Sequence, residues 1–357
     1  MGRRRILVVS PYFYPEGGGL ERYALDMARA LSGENEVEVL CMTRGEGGID
    51  NIGGIKVHRV KPGLVVSNTP LSLKFVMKVA SMIQGVDLII AHTPVPFAAD
   101  VASFLAKLMG IPIRIVYHTV GLKKGAGFLD ALAGLYSATL ERFTLWGAEI
   151  IAVSKTVWEY LRGNGYNPRV SHPQIGLPEH ASRQRGRSRE KVILFVGQLG
   201  RYHRFKNLDL LIRAFSELSA EFPEWKLWVV GDGDLLDEYR QMALELGLGS
   251  RVRFFGRIDD PEELAGIYLK SGVLVLPSSF ESFGMVVAEA LAFGVPVIVS
   301  PHAGARILVE SGKNGFVLGD LSVPVLVNVV RLMMDNPKLL RKMSVLARLG
   351  FESQPDT

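Results

Sequence analysis

Two stretches of this 357-residue chain open in the same way, and that repetition constrains the fold more than any other feature. Arg5-Ile-Leu-Val-Val-Ser10 and Lys191-Val-Ile-Leu-Phe-Val-Gly197 are short β-branched runs ending at a small residue. Each leads through a glycine-rich or basic loop into an amphipathic helix pattern. Leu20, Tyr23, Ala24, Met27, Ala28 and Leu31 form the first stripe, and Leu211, Ala214, Phe215 and Leu218 the second. Apolar strands and helices then alternate in both halves. Strands are expected at 37–41, 55–60, 86–91, 113–117 and 149–153, and again at 226–230, 252–255, 273–277, 296–300 and 315–318. Continuous apolar strands alternating with helices call for parallel sheets covered on both faces. The class is therefore α/β, wound twice. Turn-forming residues 163–168 and 173–178, followed by an arginine-rich run, mark the seam. The expected division is 1–172, a linker over 173–190, and 191–357. Ligands of such sheets bind beyond the carboxyl ends of the strands, so a cleft between the two domains is the expected site.

The charge excludes one class of partner. Net charge is +5, but the excess sits in residues 3–5 and in Arg183, Arg185, Arg187, Arg189 and Lys191, opposed only by Glu190. A nucleic-acid binder concentrates its cations on a folded face. Here they read as a solvated linker, with an anionic membrane surface as the minor alternative. No apolar run reaches the roughly 18–20 residues of a spanning helix. The single cysteine, Cys41, excludes a disulfide scaffold. The start leads directly into a strand with no secretory segment, so a cytoplasmic location is expected, peripheral at the membrane if anywhere near it.

Three stretches can carry chemistry. The first is the loop Pro11-Tyr-Phe-Tyr-Pro-Glu-Gly-Gly-Gly19, where glycines between strand and helix let backbone N–H groups approach a phosphate. It is not a dinucleotide fingerprint, because the third glycine position is Arg22; the same test fails after Gly231 at Leu236. The second is the basic loop with Arg201, Arg204 and Lys206, just before a helix starting near Leu208. Cations at a helix N-terminus are unfavourable unless an anion lies between them. The third runs from Val273 to Ser300. Glu281 follows a strand end, Gly284 opens a helix, and Glu289 sits among Val286, Val287, Ala290 and Leu291. A carboxylate there must be paired internally or must accept hydrogen bonds from sugar or ribose hydroxyls.

These motifs, in order, resemble the retaining glycosyltransferases of family 4, which have the GT-B fold of two Rossmann-like domains facing a central cleft. The resemblance runs from residue 6 to about residue 335. Its strongest element is Glu281-Ser-Phe-Gly-Met-Val-Val-Ala-Glu289, an E-x7-E signature. Gly17-Gly-Gly-Leu-Glu-Arg22, His118 of Val116-Tyr-His-Thr119, Ile151-Ala-Val-Ser154, Phe205-Lys206, Val230-Gly-Asp-Gly233, Phe254-Phe-Gly-Arg257 and Gly294-Val-Pro-Val297 support it. By this resemblance the first domain binds the acceptor and the second the nucleotide-sugar donor. Glu281 would hold hydroxyls of the transferred hexose, and Glu289 the ribose. Lys206, with Arg201 or Arg204, would neutralise the diphosphate. The amides of Phe283, Gly284 and Met285, flanked by Ser282 and Val286, would serve the distal phosphate and sugar, and Gly18 and Gly19 would close over it. His118 would lie beside the anomeric carbon, and Gly231, Gly256 and Arg257 along the nucleotide. The chain departs from the family at Gln198, where an arginine is usual, at Asn207, and at Pro173-Gln-Ile-Gly-Leu-Pro178.

The resemblance implies front-face transfer from a UDP-, GDP- or ADP-linked sugar to a saccharide or lipid-linked acceptor, without metal or other cofactor. Alternatives are an epimerase or phosphorylase of the same fold, or a binding protein that has lost catalysis. Asp232-Gly-Asp234 reads as a turn rather than a metal motif. His92 is expected at a strand end facing the cleft, and His302 in the donor-side loop. The apolar segments 71–83 and 128–146, near Lys74, Lys78, Lys123 and Lys124, are expected to pack on the first sheet, a lipid acceptor being the alternative. Lys206→Ala is expected to leave folding nearly unaffected.

Overall fold

The computed structural model describes residues 2–66, 69–93, 95–122, 128–171 and 189–352. The chain forms two compact units, Met1–Gln174 and Ile175–Thr357. Most of the arginine-rich run, with Lys123 and Lys124, lies outside the described residues.

The first unit is built on β1 (Arg5–Ser10), α1 (Gly19–Ser32), β2 (Glu36–Met42), β3 (Gly48–Ile52), β4 (Ile55–Val60), a small hairpin of β5 (Leu64–Val66) and β6 (Thr69–Leu71), and α2 (Leu73–Met82). It continues through β7 (Leu88–Thr93), α3 (Ala98–Met109), β8 (Ile113–Tyr117), α4 (Phe128–Ala138), α5 (Leu140–Leu145), β9 (Glu149–Ala152), α6 (Lys155–Gly163) and β10 (Arg169–Val170). The sheet order is β10-β9-β8-β7-β1-β2-β4-β3. Every pairing in it is parallel except β3 with β4. Val8, Val9, Leu40, Ile90 and Ile115 are fully buried, as a doubly covered parallel sheet requires. Helices start where the sequence supplies a cap: Ser72 accepts from the Phe75 amide and Ser154 from the Val157 amide. The exposed edge strand β3, Gly-Ile-Asp-Asn-Ile, has no apolar run, so its pattern gives no strand signal.

The second unit comprises β11 (Val192–Val196), a 3₁₀ turn (Arg201–Lys206), α7 (Leu208–Ser219), β12 (Lys226–Val230), α8 (Leu236–Glu245), β13 (Val252–Gly256), α9 (Pro261–Lys270), β14 (Val273–Leu276), α10 (Met285–Ala292), β15 (Val297–Val299), β16 (Gly315–Val317), α11 (Val323–Asp335) and α12 (Pro337–Glu352). Its strands are parallel throughout, in the order β13-β12-β11-β14-β15-β16. The chain moves outward from β11 in one direction and restarts beside it with β14. Loops leaving these two strands therefore diverge and open a crevice at their carboxyl ends. Phe195, Leu211, Phe215, Val229, Val275, Ile298 and Met333 fill the core.

One linker residue departs from its expectation. Arg189 is not a solvated charge: its guanidinium donates to the carbonyls of Tyr268, Ser271 and Phe293 and to Ser344 Oγ. Burial, and then the nearby Arg348, push its pKa down to about 10. A planar five-donor group can satisfy several converging carbonyls where a run of exposed charges cannot.

Candidate active site

In the second unit the crevice between β11 and β14 holds an ion pair. Lys206 Nζ lies 2.7 Å from Glu281 Oε2, and the two side chains are only 15% and 18% exposed. The local chain explains how they meet. Asn207 adopts a left-handed conformation (φ +52°) after the 3₁₀ turn, and its side-chain amide donates to Pro277 O at 2.8 Å. The Ser279 amide donates to Phe205 O at 2.7 Å, stitching the basic loop onto the loop after β14. The stem of Lys206 crosses Gly197, where an added Cβ would stand 2.8 Å from Lys206 Cδ. Gly231 supports the same spot from below: at φ +140°, a Cβ there would meet Gly197 O at 1.8 Å. Gly231 is thus a packing residue, held in part by its N–H bond to Gly256 O.

Gly284 opens α10, whose first-turn amides are the ones that a helix leaves without intrahelical acceptors. Phe283, Gly284 and Met285 are buried, while Ser282 and Val286 are partly exposed. One helical turn further on, Glu289 Oε2 accepts a 2.7 Å bond from the Tyr268 hydroxyl, and Tyr268 stacks on Phe293. Its internal partner is thus a tyrosine rather than a cation, which leaves the other carboxylate oxygen to accept further bonds.

The remaining cations of the loop are engaged elsewhere. Arg204 forms a two-pronged contact with Glu238 at 2.9 Å to each oxygen, and Arg201 pairs with Asp234 at 3.5 Å. Both arginines are exposed. Lys206 alone of the three is drawn to Glu281. Asp232 accepts from the Gly233 amide and Asp234 from the Arg201 amide, so both carboxylates serve the turn before α8. Arg257 pairs with Asp259.

In the first unit the carboxyl ends of β1, β7 and β8 carry the other expected residues. His92 and His118 face each other, with His92 Nδ1 2.8 Å from His118 Nε2, and the edge of Tyr23 contacts both rings. His92 is fully buried, whereas His118 is partly exposed. Burial pushes His92 down to about 3, and it holds His118 well below the usual histidine range, with His92 adding to the shift. Both rings are neutral near pH 7. The expectation that His92 merely faces a cleft is corrected: it is a buried partner of His118. The Gly18 amide donates to Glu21 Oε2 at 2.6 Å, so the anion at the start of α1 is the chain's own. Gly19 begins that helix.

Residues 178–349 match the family model described as glycosyl transferases group 1, and residues 17–173 the one described as glycosyltransferase family 4. The chain belongs to the family 4 glycosyltransferases. An uncharacterised glycosyltransferase of Haemophilus influenzae is 31% identical over 56% of this chain. The match spans about half, 54%, of that relative's length. Sucrose-phosphate synthase from Thermosynechococcus elongatus superimposes with a TM-score of 0.76 at 21% identity, covering 98% of this chain and 94% of that one. HepE from Anabaena in complex with UDP-glucose gives 0.75 at 21% identity, covering 98% and 94%. The fold is GT-B, each unit supplying one Rossmann-like sheet.

Within this glycosyltransferase the E-x7-E signature thus spans a loop and a helix, Glu281 before α10 and Glu289 inside it. The sequence reading missed three contacts: Glu281 with Lys206, His118 with His92, and Glu289 with Tyr268. Each partner is distant in sequence, and of the six residues His92 and Tyr268 carried no motif signal. The shielded pair bears on the expectation that Lys206→Ala leaves folding nearly unaffected, because that change would strand the Glu281 carboxylate.

Proposed function

We propose that this chain transfers a hexose from a nucleoside-diphosphate sugar to an acceptor hydroxyl with retention of anomeric configuration. The observation that carries this reading is the Lys206–Glu281 pair at the crevice between β11 and β14. An ammonium has three donors and one is committed to Glu281, so two remain for phosphate oxygens. The carboxylate keeps acceptor capacity for sugar hydroxyls. First-turn amides of α10 lie in the same loop, where developing negative charge on a leaving phosphate is stabilised. Glu289, fixed by Tyr268, is suited to a ribose.

In the transfer, the bond from the anomeric carbon to the diphosphate oxygen breaks, and the acceptor oxygen bonds to that carbon on the same face. The leaving phosphate oxygen takes the acceptor's proton. His118, held neutral beside His92, would offer a hydrogen bond to the sugar rather than a charge. Lys206 and the amides would supply the stabilisation in place of a metal ion. UDP-sugars are the first donors to test, because the Anabaena neighbour was solved with UDP-glucose. The acceptor class is a saccharide or a lipid-linked glycan.

A thermal-shift screen with UDP-, GDP- and ADP-sugars, followed by product analysis by NMR, tests the reading. Stabilisation by one nucleotide series and an α-configured product from an α-linked donor are expected. An inverted product, or epimerised free nucleotide sugar, would overturn it.

A further inference from the structure

The contact between His92 and His118 restricts where the two rings can carry their protons. His92 Nδ1 lies 2.8 Å from His118 Nε2, so one of these nitrogens donates and the other accepts. The second nitrogen of His92, Nε2, is buried and meets no hydrogen-bond partner. The second nitrogen of His118, Nδ1, also has no partner among the described residues, but that ring is partly exposed. The rings are held in place from two sides. The His118 amide donates to Thr93 O at 3.0 Å, and the ring of Tyr23 stands edge-on, 5.0 Å from that of His118 and 6.1 Å from that of His92.

Suppose that His118 Nε2 donates. His92 Nδ1 is then the acceptor, and the one proton that a neutral imidazole must carry sits on its Nε2. A cationic His92 would place a proton there as well. Either arrangement strands a buried N–H, and such groups are rarer in folded proteins than acceptors short of a donor. The cationic one also buries a charge. A single arrangement leaves His92 Nε2 as a bare lone pair. In it neutral His92 donates from Nδ1, His118 Nε2 accepts, and the His118 proton lies on Nδ1. Burial, which holds both rings neutral, agrees with it. The result reverses the preference of a free neutral histidine, whose proton favours Nε2.

We propose that His92 is a positioning residue, which fixes His118 in the Nδ1–H form and so makes the open edge of that ring a hydrogen-bond donor. Its part in turnover rests on the transferase reading above. A protonated Nδ1 has no in-plane lone pair. It can neither attack the anomeric carbon nor take the acceptor's proton, and is left to donate to an oxygen of the sugar. The test uses the full chain with ring-¹⁵N histidine, in long-range ¹H–¹⁵N spectra at pH 7 without donor. Signals that vanish in His118→Gln identify that ring. Protonated Nδ1 and bare Nε2 are expected for His118; a protonated Nε2, or an exchange-averaged pair, would overturn the proposal. Two variants separate positioning from packing. In His92→Asn an amide N–H can take the place of Nδ1, so His118 should keep its proton on Nδ1. His92→Ala opens room for water, which donates and accepts alike, so the Nε2-protonated form should appear. kcat should then fall about 3–10-fold in His92→Ala at unchanged KM, and His92→Asn should restore it. Equal losses in the two variants, or an unaltered His118 spectrum in His92→Ala, would refute the positioning role. If His92→Ala does not fold, the wild-type spectrum decides alone. The spectra need neither donor nor turnover, so their failure and failure of the transferase reading are separate results.

Discussion

Replacing Lys206 with alanine tests the crevice of the second unit most directly. The variant removes the partner of a carboxylate that lies 2.7 Å away and is 82% shielded from solvent, its side chain being 18% exposed. Breaking a fully buried pair from one side costs about 3–5 kcal/mol, because the remaining charge is left uncompensated. Some water reaches both groups here, so about 1–3 kcal/mol is the expected loss. Urea denaturation at pH 7 reads it as a lower midpoint with an unchanged slope. Glu281→Gln should be milder, leaving a neutral amide beside the ammonium. Lys206→Met combined with Glu281→Gln should recover part of the loss, since an apolar stem beside a neutral amide strands no charge. In a double-mutant cycle the two sites should therefore couple. If the single changes add within about 0.5 kcal/mol, the pair does not exist in solution and the crevice has been read wrongly. Turnover supplies an independent arm. Lost stabilisation of the leaving diphosphate should lower kcat/KM by about 10²–10³-fold, assayed well below the unfolding midpoint.

Three further outcomes are expected. Buried neutral His92, its pKa pushed down to about 3, binds no proton at pH 5, while an unfolded histidine near 6.5 does. Its contribution is complete above about pH 6.5 and falls as the pH drops, by about 2 kcal/mol at pH 5; His92→Asn should flatten that slope in denaturation curves. Glu289→Gln and Tyr268→Phe should both weaken binding of the bare nucleoside diphosphate in calorimetry, the first more than the second, whereas Glu281→Gln should spare it. Equal effects of the two glutamates would refute their division of labour. Transfer should persist in excess EDTA and in Asp232→Asn, whose side chain serves a turn; loss of activity restored by Mn²⁺ would reject metal-free transfer.

Strand and helix positions were legible where burial sets the pattern. The strand at 113–117 and the helix from Leu208 fall where periodicity places them, because both faces of a covered parallel strand must be apolar. The edge strand β3 and the hairpin β5–β6 were not legible: neither carries the buried run that betrays a strand. Of the site, the residues could be read and their partners could not. Glu281 is recognisable beside a strand end, but its contact with Lys206, 75 positions earlier, depends on strand order, which places β11 next to β14. Arg189 shows the limit of composition. Its neighbours in sequence suggest a solvated run, whereas only the folded chain reveals the carbonyls that converge on it.

That arginine also fixes where the second unit can be cut from the chain. A fragment beginning at Lys191, the first residue of the strand pattern, would retain every strand and helix of the sheet. It would nonetheless leave the carbonyls of Tyr268, Ser271 and Phe293 and the hydroxyl of Ser344 without their common donor. Those groups belong to the end of α9, the end of α10 and the middle of α12, so a single missing side chain would loosen three helices together. The autonomous folding unit therefore begins upstream of its own first strand, and a boundary drawn by alignment of strands would excise its fastener.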